Sequence, residues 1–226
     1  MSYLDIENIK NTLSENPLDE LKRSLVIYDK ELAKNSVEKL ITGKINPKII
    51  LETMSGVLKL IGNAYEEDLL FLPDLIGASS TMSAALPSVE DEIKKTGNKI
   101  DNLGVIVLGT VLGDVHSIGK QMVGTMLVAE GFTVHDIGID ISAQKFIDAI
   151  KTYNADILAM SALLTTTAYE QKKVISILEK EGLREKVKVI VGGGAVTEEF
   201  ASSIGADGYD PTAPGAAKLA RKLIGR

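Results

Sequence analysis

The sequence predicts two structural classes in one chain: an N-terminal all-α helical bundle, then a C-terminal α/β domain on a five-stranded parallel sheet. Three observations carry this. Apolar residues up to about Lys99 recur at helical spacing, whereas the apolar runs after it are strand-length and alternate with helix-length segments. Between the two patterns, Thr96-Gly97-Asn98 reads as a linker. The 226 residues therefore divide into a bundle over 1–97 and an α/β domain over 98–226.

In the first part, Leu18–Tyr28 and Lys30–Ile41 read as two short helices. Gly43 ends the second, and Asn46-Pro47 opens the next in cap and first-turn positions. Ile50, Met54, Val57, Leu58, Ile61 and Tyr65 share one face of that helix. Leu75, Ser79, Met82, Leu86, Val89 and Ile93 form the stripe of the last one. Proline lacks the N–H that a helix interior needs, so Pro87 predicts a kink or break there. Met54 and Met82 sit on the stripes and read as core, and Glu66-Glu67-Asp68 reads as a solvated loop.

In the second part, the strands are Gly104–Leu108, Thr133–Ile137, Ile157–Ser161, Val187–Val191 and a short Gly208–Asp210. Helices are expected over Lys120–Glu130, Ala143–Thr152, Tyr169–Gly182, Thr197–Ile204 and Ala213–Ile224. Five such units imply a doubly wound sheet, flavodoxin-like (Rossmann-like) when its order is 2-1-3-4-5. His135 falls inside a strand and reads as a surface or packing residue.

Composition narrows the partners. The apolar 45% and charged 25% are ordinary globular usage, so a real core is expected. A net charge of −6 without a basic patch argues against nucleic acid. No apolar run is long enough to span a bilayer, and the opening residues lack the order of a signal peptide. The absence of cysteine excludes disulfides and thiolate metal sites and fits a reducing compartment. The expectation is an acidic, soluble, cytoplasmic protein with neither nucleic acid nor membrane as partner.

Three loops, each following a strand, hold the candidate chemistry. The first contains Asp114-Val115-His116-Ser117-Ile118-Gly119, the second Ser161-Ala-Leu163-Leu-Thr165-Thr166-Thr167, the third Gly192-Gly193-Gly194. In a sheet of order 2-1-3-4-5 the first two loops flank one crevice, where open α/β sheets bind ligands. Asp114 could hold one nitrogen of His116 and fix its tautomer. His116 alone cannot assemble an ordinary catalytic metal site, which takes three or more protein ligands. It suffices when a macrocycle supplies the equatorial nitrogens. Threonines 165–167 could also simply cap the following helix.

These residues resemble a known family. Asp114-Val-His116-Ser-Ile-Gly119, Ser161-Ala-Leu163 and Gly192-Gly193 match the DxHxxG, SxL and GG motifs of cobalamin-binding modules, at that family's spacing. Gly62-Asn-Ala-Tyr65 and Phe71-Leu72-Pro73 resemble segments of the family's helical cap. The subclass most similar is the corrinoid methyl carrier of anaerobic methyltransferase systems acting on methylamines, methanol, methoxyaromatics or betaines. The resemblance covers nearly the whole chain. It implies that cobalamin (methylcobalamin or cob(I)alamin), and hence cobalt, is the cofactor, with its own base displaced and His116 as lower metal ligand. Asp114 would hydrogen-bond the imidazole and Thr167 would continue the relay, as a serine does in the methionine synthase module. Val115, Ser117, Ile118 and Gly119 belong to the same cofactor-binding loop. Ser161, Leu163 and Thr165 would contact the displaced nucleotide tail, which Gly192, Gly193 and Gly194 would line. Tyr65 and Leu72 would shield the upper face of the corrin. The chain would then be a cofactor-carrying subunit without catalytic residues of its own. Its implied partners are a substrate-specific methyltransferase, an acceptor methyltransferase delivering to tetrahydrofolate or a thiol, and a reductive activase.

Departures from the pattern are Ser117 where many members have aspartate, Ala195 where many have proline, and Tyr65 in place of a common phenylalanine. None removes a ligand or tail position. The alternative reading is a cobalamin-dependent sensor or binding module without methyl transfer. A flavodoxin-like domain binding another nucleotide would explain the fold, but not the Asp114–His116 spacing.

Overall fold

The computed structural model describes residues 3–12, 14–96 and 102–225. It divides into two compact units, Met1–Asp101 and Asn102–Arg226. Of the linker expected at Thr96-Gly97-Asn98, Thr96 is the last residue of the final helix of the first unit, and Gly97-Asn98, with the 97/98 boundary, lies outside the described residues.

The helical unit comprises α1 (Tyr3–Asn11), α2 (Pro17–Val26), α3 (Lys30–Thr42), α4 (Pro47–Glu66) and α5 (Leu72–Thr96). The start signal expected for α4 is present, and α3 has a cap that the sequence reading did not single out. Asn46 accepts the Lys48 N–H at 3.0 Å with Pro47 in the first turn, and Asp29 accepts the Leu32 N–H at 2.9 Å. The stripes face inward: Ile50, Met54, Leu58, Leu75, Met82 and Val89 are buried. Glu67 and Asp68 are exposed, as a solvated loop requires.

The end of α2 and the course of α5 differ from the sequence reading for reasons of packing. The α2 helix stops at Val26, and Tyr28 takes a left-handed φ of 63°. That turn lays the Tyr28 ring on Gly77 of α5, where a Cβ would come within 2.6 Å of the ring. The Tyr28 hydroxyl donates to Asp74 at 2.8 Å. Tertiary contact ends this helix before its propensity does. Conversely, α5 runs unbroken through Pro87, so the expected break does not occur. Pro87 faces solvent while Ala85 and Val89 on either side of it are buried, and that burial outweighs one missing backbone bond.

In the second unit, β1 (Val105–Thr110), β2 (Thr133–Asp136), β3 (Ile157–Ser161), β4 (Lys188–Gly192) and β5 (Gly208–Tyr209) form one sheet of order β2-β1-β3-β4-β5. All neighbouring pairs are parallel. The helices between and after them are α6 (Ile118–Glu130), α7 (Ala143–Tyr153), α8 (Thr165–Lys180), α9 (Glu198–Ser203) and α10 (Ala213–Leu223). Strand alternation sorts the core. Val107, Leu158, Met160, Val189 and Val191 pack with Phe146 and Ile147 of α7 and with Val174 and Leu178 of α8. The alternate residue Leu108 faces α6, where a Cβ on Gly124 would lie 2.9 Å from it. His135 in the edge strand packs as expected, its ring stacked at 3.7 Å on Tyr153.

The register places the site. Thr110 pairs with Ser161, and Ser161 with Gly192, so the carboxyl ends of β1, β3 and β4 form one row. The β1 strand runs two residues beyond its expected end because Thr110 is held on both sides of its own peptide. Its N–H donates to Gly138 and its carbonyl accepts from Ile141, each at 3.0 Å. The α6 helix begins at Ile118 rather than Lys120, and α8 at Thr165 rather than Tyr169, so the threonines enter the first turn of α8.

Phe146 is fully buried between α7 and the sheet. Phe146→Ala is expected to cost the α/β unit about 3–5 kcal/mol, read as a lower urea midpoint of the transition that unfolds the sheet.

Candidate functional site

The first two loops meet on one carboxylate. Asp114 lies in the turn after β1, with its side chain fully shielded from solvent. Its Oδ1 accepts the His116 backbone N–H at 3.0 Å and the His116 Nδ1 at 2.7 Å. Its Oδ2 accepts the Leu163 N–H at 2.7 Å and the Thr167 hydroxyl at 2.7 Å. Burial alone would raise the Asp114 pKa. The bonds from the His116 N–H, the Thr167 hydroxyl, the Leu163 N–H and the His116 ring outweigh it and hold the carboxyl well below the usual carboxylate range. An ionised carboxylate only accepts, so both the His116 Nδ1 and the Thr167 hydroxyl must donate.

That fixes the histidine. With its proton on Nδ1, neutral His116 carries the lone pair on Nε2. The backbone of His116 is pinned as well, because the Thr110 hydroxyl donates to its carbonyl at 3.0 Å. The His116 side chain is 49% exposed, whereas Asp114 behind it is at 0%. Among the described residues, no group of three or more histidine, aspartate or glutamate side chains could hold a metal ion. The site therefore offers one oriented nitrogen ligand at a surface.

The surroundings are apolar and bare. Val115 and Ile118, beside the histidine, are 65% and 62% exposed, and Leu112, Ile139, Leu163 and Leu164 are also exposed. Exposed apolar side chains concentrated around one polar centre mark a ligand surface. Ser117 is the N-cap residue of α6 yet makes no capping bond through its side chain, and a Cβ on Gly119 would meet no atom within 4 Å. On the third loop, a Cβ on Gly192 would also meet nothing within 4 Å. Gly193, at a φ of +114°, lies so close to Ala162 that a Cβ would fall 2.0 Å from its carbonyl oxygen. Only glycine fits there. Gly194 packs under the Leu163 side chain, 2.8 Å from where its Cβ would be.

The predicted residues thus divide into groups. His116, Leu163 and Thr167 each hydrogen-bond Asp114, and Ser161 and Gly192 stand in one ladder row. Thr165 is exposed at the first residue of α8. Tyr65, half-buried near the end of α4, and Leu72, exposed at the start of α5, belong to the helical unit. The threonines do not cap α8: its N-cap residue is Leu164, without a side-chain capping bond, and Thr167 turns to Asp114 instead.

Sequence reasoning missed Thr110 and Asp140. Asp140 accepts the Gly113 N–H at 2.7 Å and donates its own N–H to the Asp114 carbonyl at 3.0 Å. It braces the histidine loop from the loop after β2. Its left-handed φ of 55° leaves no trace in the sequence beyond a polar residue between two isoleucines.

Comparison with known proteins gives the family. Models of the B12 binding domain match residues 104–218 and, for a second domain of that description, residues 17–89. A corrinoid protein of Desulfitobacterium hafniense is 39% identical, over 92% of this chain and 98% of its own length. The chain belongs to the B12-binding corrinoid protein family. A dimethylamine corrinoid protein of Methanosarcina barkeri is 42% identical, over 93% of this chain and 98% of its own. Among solved structures, a cobalamin-binding protein from D. hafniense aligns with a TM-score of 0.67 at 28% identity, covering 92% of this chain and 98% of that one. The methanol:cobalamin methyltransferase complex of M. barkeri shares the fold, with a TM-score of 0.79 at 24% identity, over 99% of this chain and 85% of that one. Cobalamin, with its cobalt, is the cofactor of this corrinoid protein. The residues fit it: one imidazole nitrogen stands free for a metal whose macrocycle supplies the rest, and Gly192 leaves open space for a close neighbour.

The Asp114 network has a signature in acid. Its depressed pKa stabilises the fold at pH values above about 4, the ordinary carboxylate range, and this contribution is lost as pH falls toward the folded-state value. Asp114→Asn should therefore destabilise the apoprotein by about 1.5–3 kcal/mol near pH 7, and the gap to wild type should close as pH falls below about 4. Urea unfolding across that range checks this.

Proposed function

We propose that this protein is a methyl carrier that holds cobalamin with His116 as the lower ligand to cobalt and with the cofactor's own base displaced. The observation that supports this reading is the oriented His116: Nδ1 bonded to a buried carboxylate, Nε2 left for a metal, and an apolar surround. Cobalamin supplies the cobalt on which a methyl group is carried. The chain's own residues do the rest. Asp114 fixes the tautomer and angle of the imidazole, and Thr167 and the Leu163 N–H fix Asp114. Val115, Ser117, Ile118 and Gly119 flank the ligand. Ser161, Leu163, Thr165, Gly192, Gly193 and Gly194 accommodate the displaced tail. The helical unit, taken as residues 1–97, acts as the cap through Tyr65 and Leu72, and residues 98–226 form the cofactor domain.

As a carrier, the protein works between partners: a substrate-specific methyltransferase, an acceptor methyltransferase passing the group to tetrahydrofolate or a thiol, and a reductive activase. The partnered state of the methanol:cobalamin methyltransferase complex supports the first of these. Dimethylamine corrinoid proteins of Methanosarcina at 40–42% identity over nearly the whole chain support a methylated amine as the donor to test first. Among the described residues, no helix is long and apolar enough to cross a membrane.

The test is spectroscopic. Wild-type protein reconstituted with hydroxocobalamin should show histidine-nitrogen ligation, and His116→Ala should lose it. An unchanged lower-ligand spectrum in the variant would refute axial ligation. Methylation of the reduced holo-protein, with each donor and its cognate methyltransferase in turn, should proceed with a methylated amine. Methylation by another donor alone would reassign the substrate while leaving the carrier role in place.

A further inference from the structure

One buried side chain beside the site is unexplained by packing. The buried residues of α8 are Thr167, Ala168, Gln171, Val174, Ile175 and Leu178; of the two polar ones, Thr167 is taken up by Asp114, which leaves Gln171. Gln171 is 0% exposed. Its Nε2 donates to the Met160 carbonyl at 3.1 Å and to the Gly192 carbonyl at 3.2 Å, the carboxyl ends of β3 and β4. Both amide hydrogens are thereby used, and the reverse orientation would set oxygen against two carbonyl oxygens. The Oε1 is left buried without a partner. A fully apolar residue would fill this position without orphaning an acceptor.

At Gly192 the Gln171 bond is additional to the sheet's own. The Gly192 carbonyl already accepts the Ala162 N–H at 3.0 Å. What Gln171 adds is a second anchor on the peptide joining Gly192 to Gly193, immediately before the left-handed turn at Gly193. That peptide borders the open space beside Gly192.

We infer that Gln171 is a positioning residue for the nucleotide tail of cobalamin: it locks the Gly192–Gly193 peptide so that the wall the tail lies against exists before binding. This rests on the proposed role of the glycine loop. Preformed walls raise affinity by removing the ordering cost at the moment of binding.

The experiment compares two probes on the full-length protein, cobalamin and cobinamide, the corrinoid that lacks the nucleotide tail. In Gln171→Met, which keeps the volume and removes the donors, cobalamin affinity should fall about ten- to a hundredfold, the scale of lost supporting contacts. Cobinamide affinity should stay as in wild type, and the apoprotein's thermal midpoint should hold or rise as the orphaned acceptor goes. Equal losses for both corrinoids, or no loss for either, overturn the proposal. A wild-type protein that binds cobalamin no better than cobinamide overturns the tail reading of the glycine loop, and this inference with it. A second measurement needs no variant. In wild-type protein the Gln171 side-chain amide protons should shift in NMR spectra on adding cobalamin and stay in place with cobinamide; no shift with cobalamin overturns the role.

Discussion

The arrangement of the α/β unit around its site depends on one buried carboxylate. Asp114 receives bonds from its own loop, through the N–H and ring of His116, and from the loop after β3, through Leu163 and Thr167. Two strands are thus tied at their carboxyl ends by a group that belongs to neither ladder. The desolvation of a carboxylate is costly, and the bonds that offset it are the ones that shape the site. A neutral acceptor at position 114 could not take four donors with the same strength.

Around this centre, rigidity comes from backbone as much as from side chains. Thr110 holds the far side of His116, and Asp140 holds Gly113 and the Asp114 carbonyl. The glycine loop is held by close contact with Ala162. Each loop is therefore fixed to a neighbour without filling the space between them. A large planar cofactor needs that combination, since a wall that moved would pay its ordering cost on every binding event.

The sequence made the strand and helix order legible because periodicity and caps are local signals. The alternation from Val105 onward and the cap at Asn46 needed no tertiary information. The Asp114–His116 pair was legible from its spacing and loop position. Residues acting across sequence distance were not. Asp140 reaches Gly113 over 27 positions, and Gln171 reaches Gly192 over 21; neither belongs to a recognisable motif. Pro87 and Tyr28 show the same limit from the other side: burial carried one helix through a proline, and a ring on Gly77 stopped another early.

The sharing of Asp114 among donors also sets how strongly it can act on His116. A carboxylate polarises a hydrogen-bonded imidazole in proportion to the electron density it has to give, and every other donor draws on the same density. Thr167 and the Leu163 N–H bond Oδ2 while the histidine bonds Oδ1, so they restrain the basicity that would reach Nε2 through the ring. A bare Asp–His pair would leave the imidazole nitrogen a stronger donor to any metal that His116 would hold. With His116 as the proposed lower ligand, a carrier that must release its group as readily as it accepts it would be better served by a nitrogen donor of intermediate strength. In this fold that donor strength depends on α8 through Thr167, which bonds Asp114 and not the imidazole.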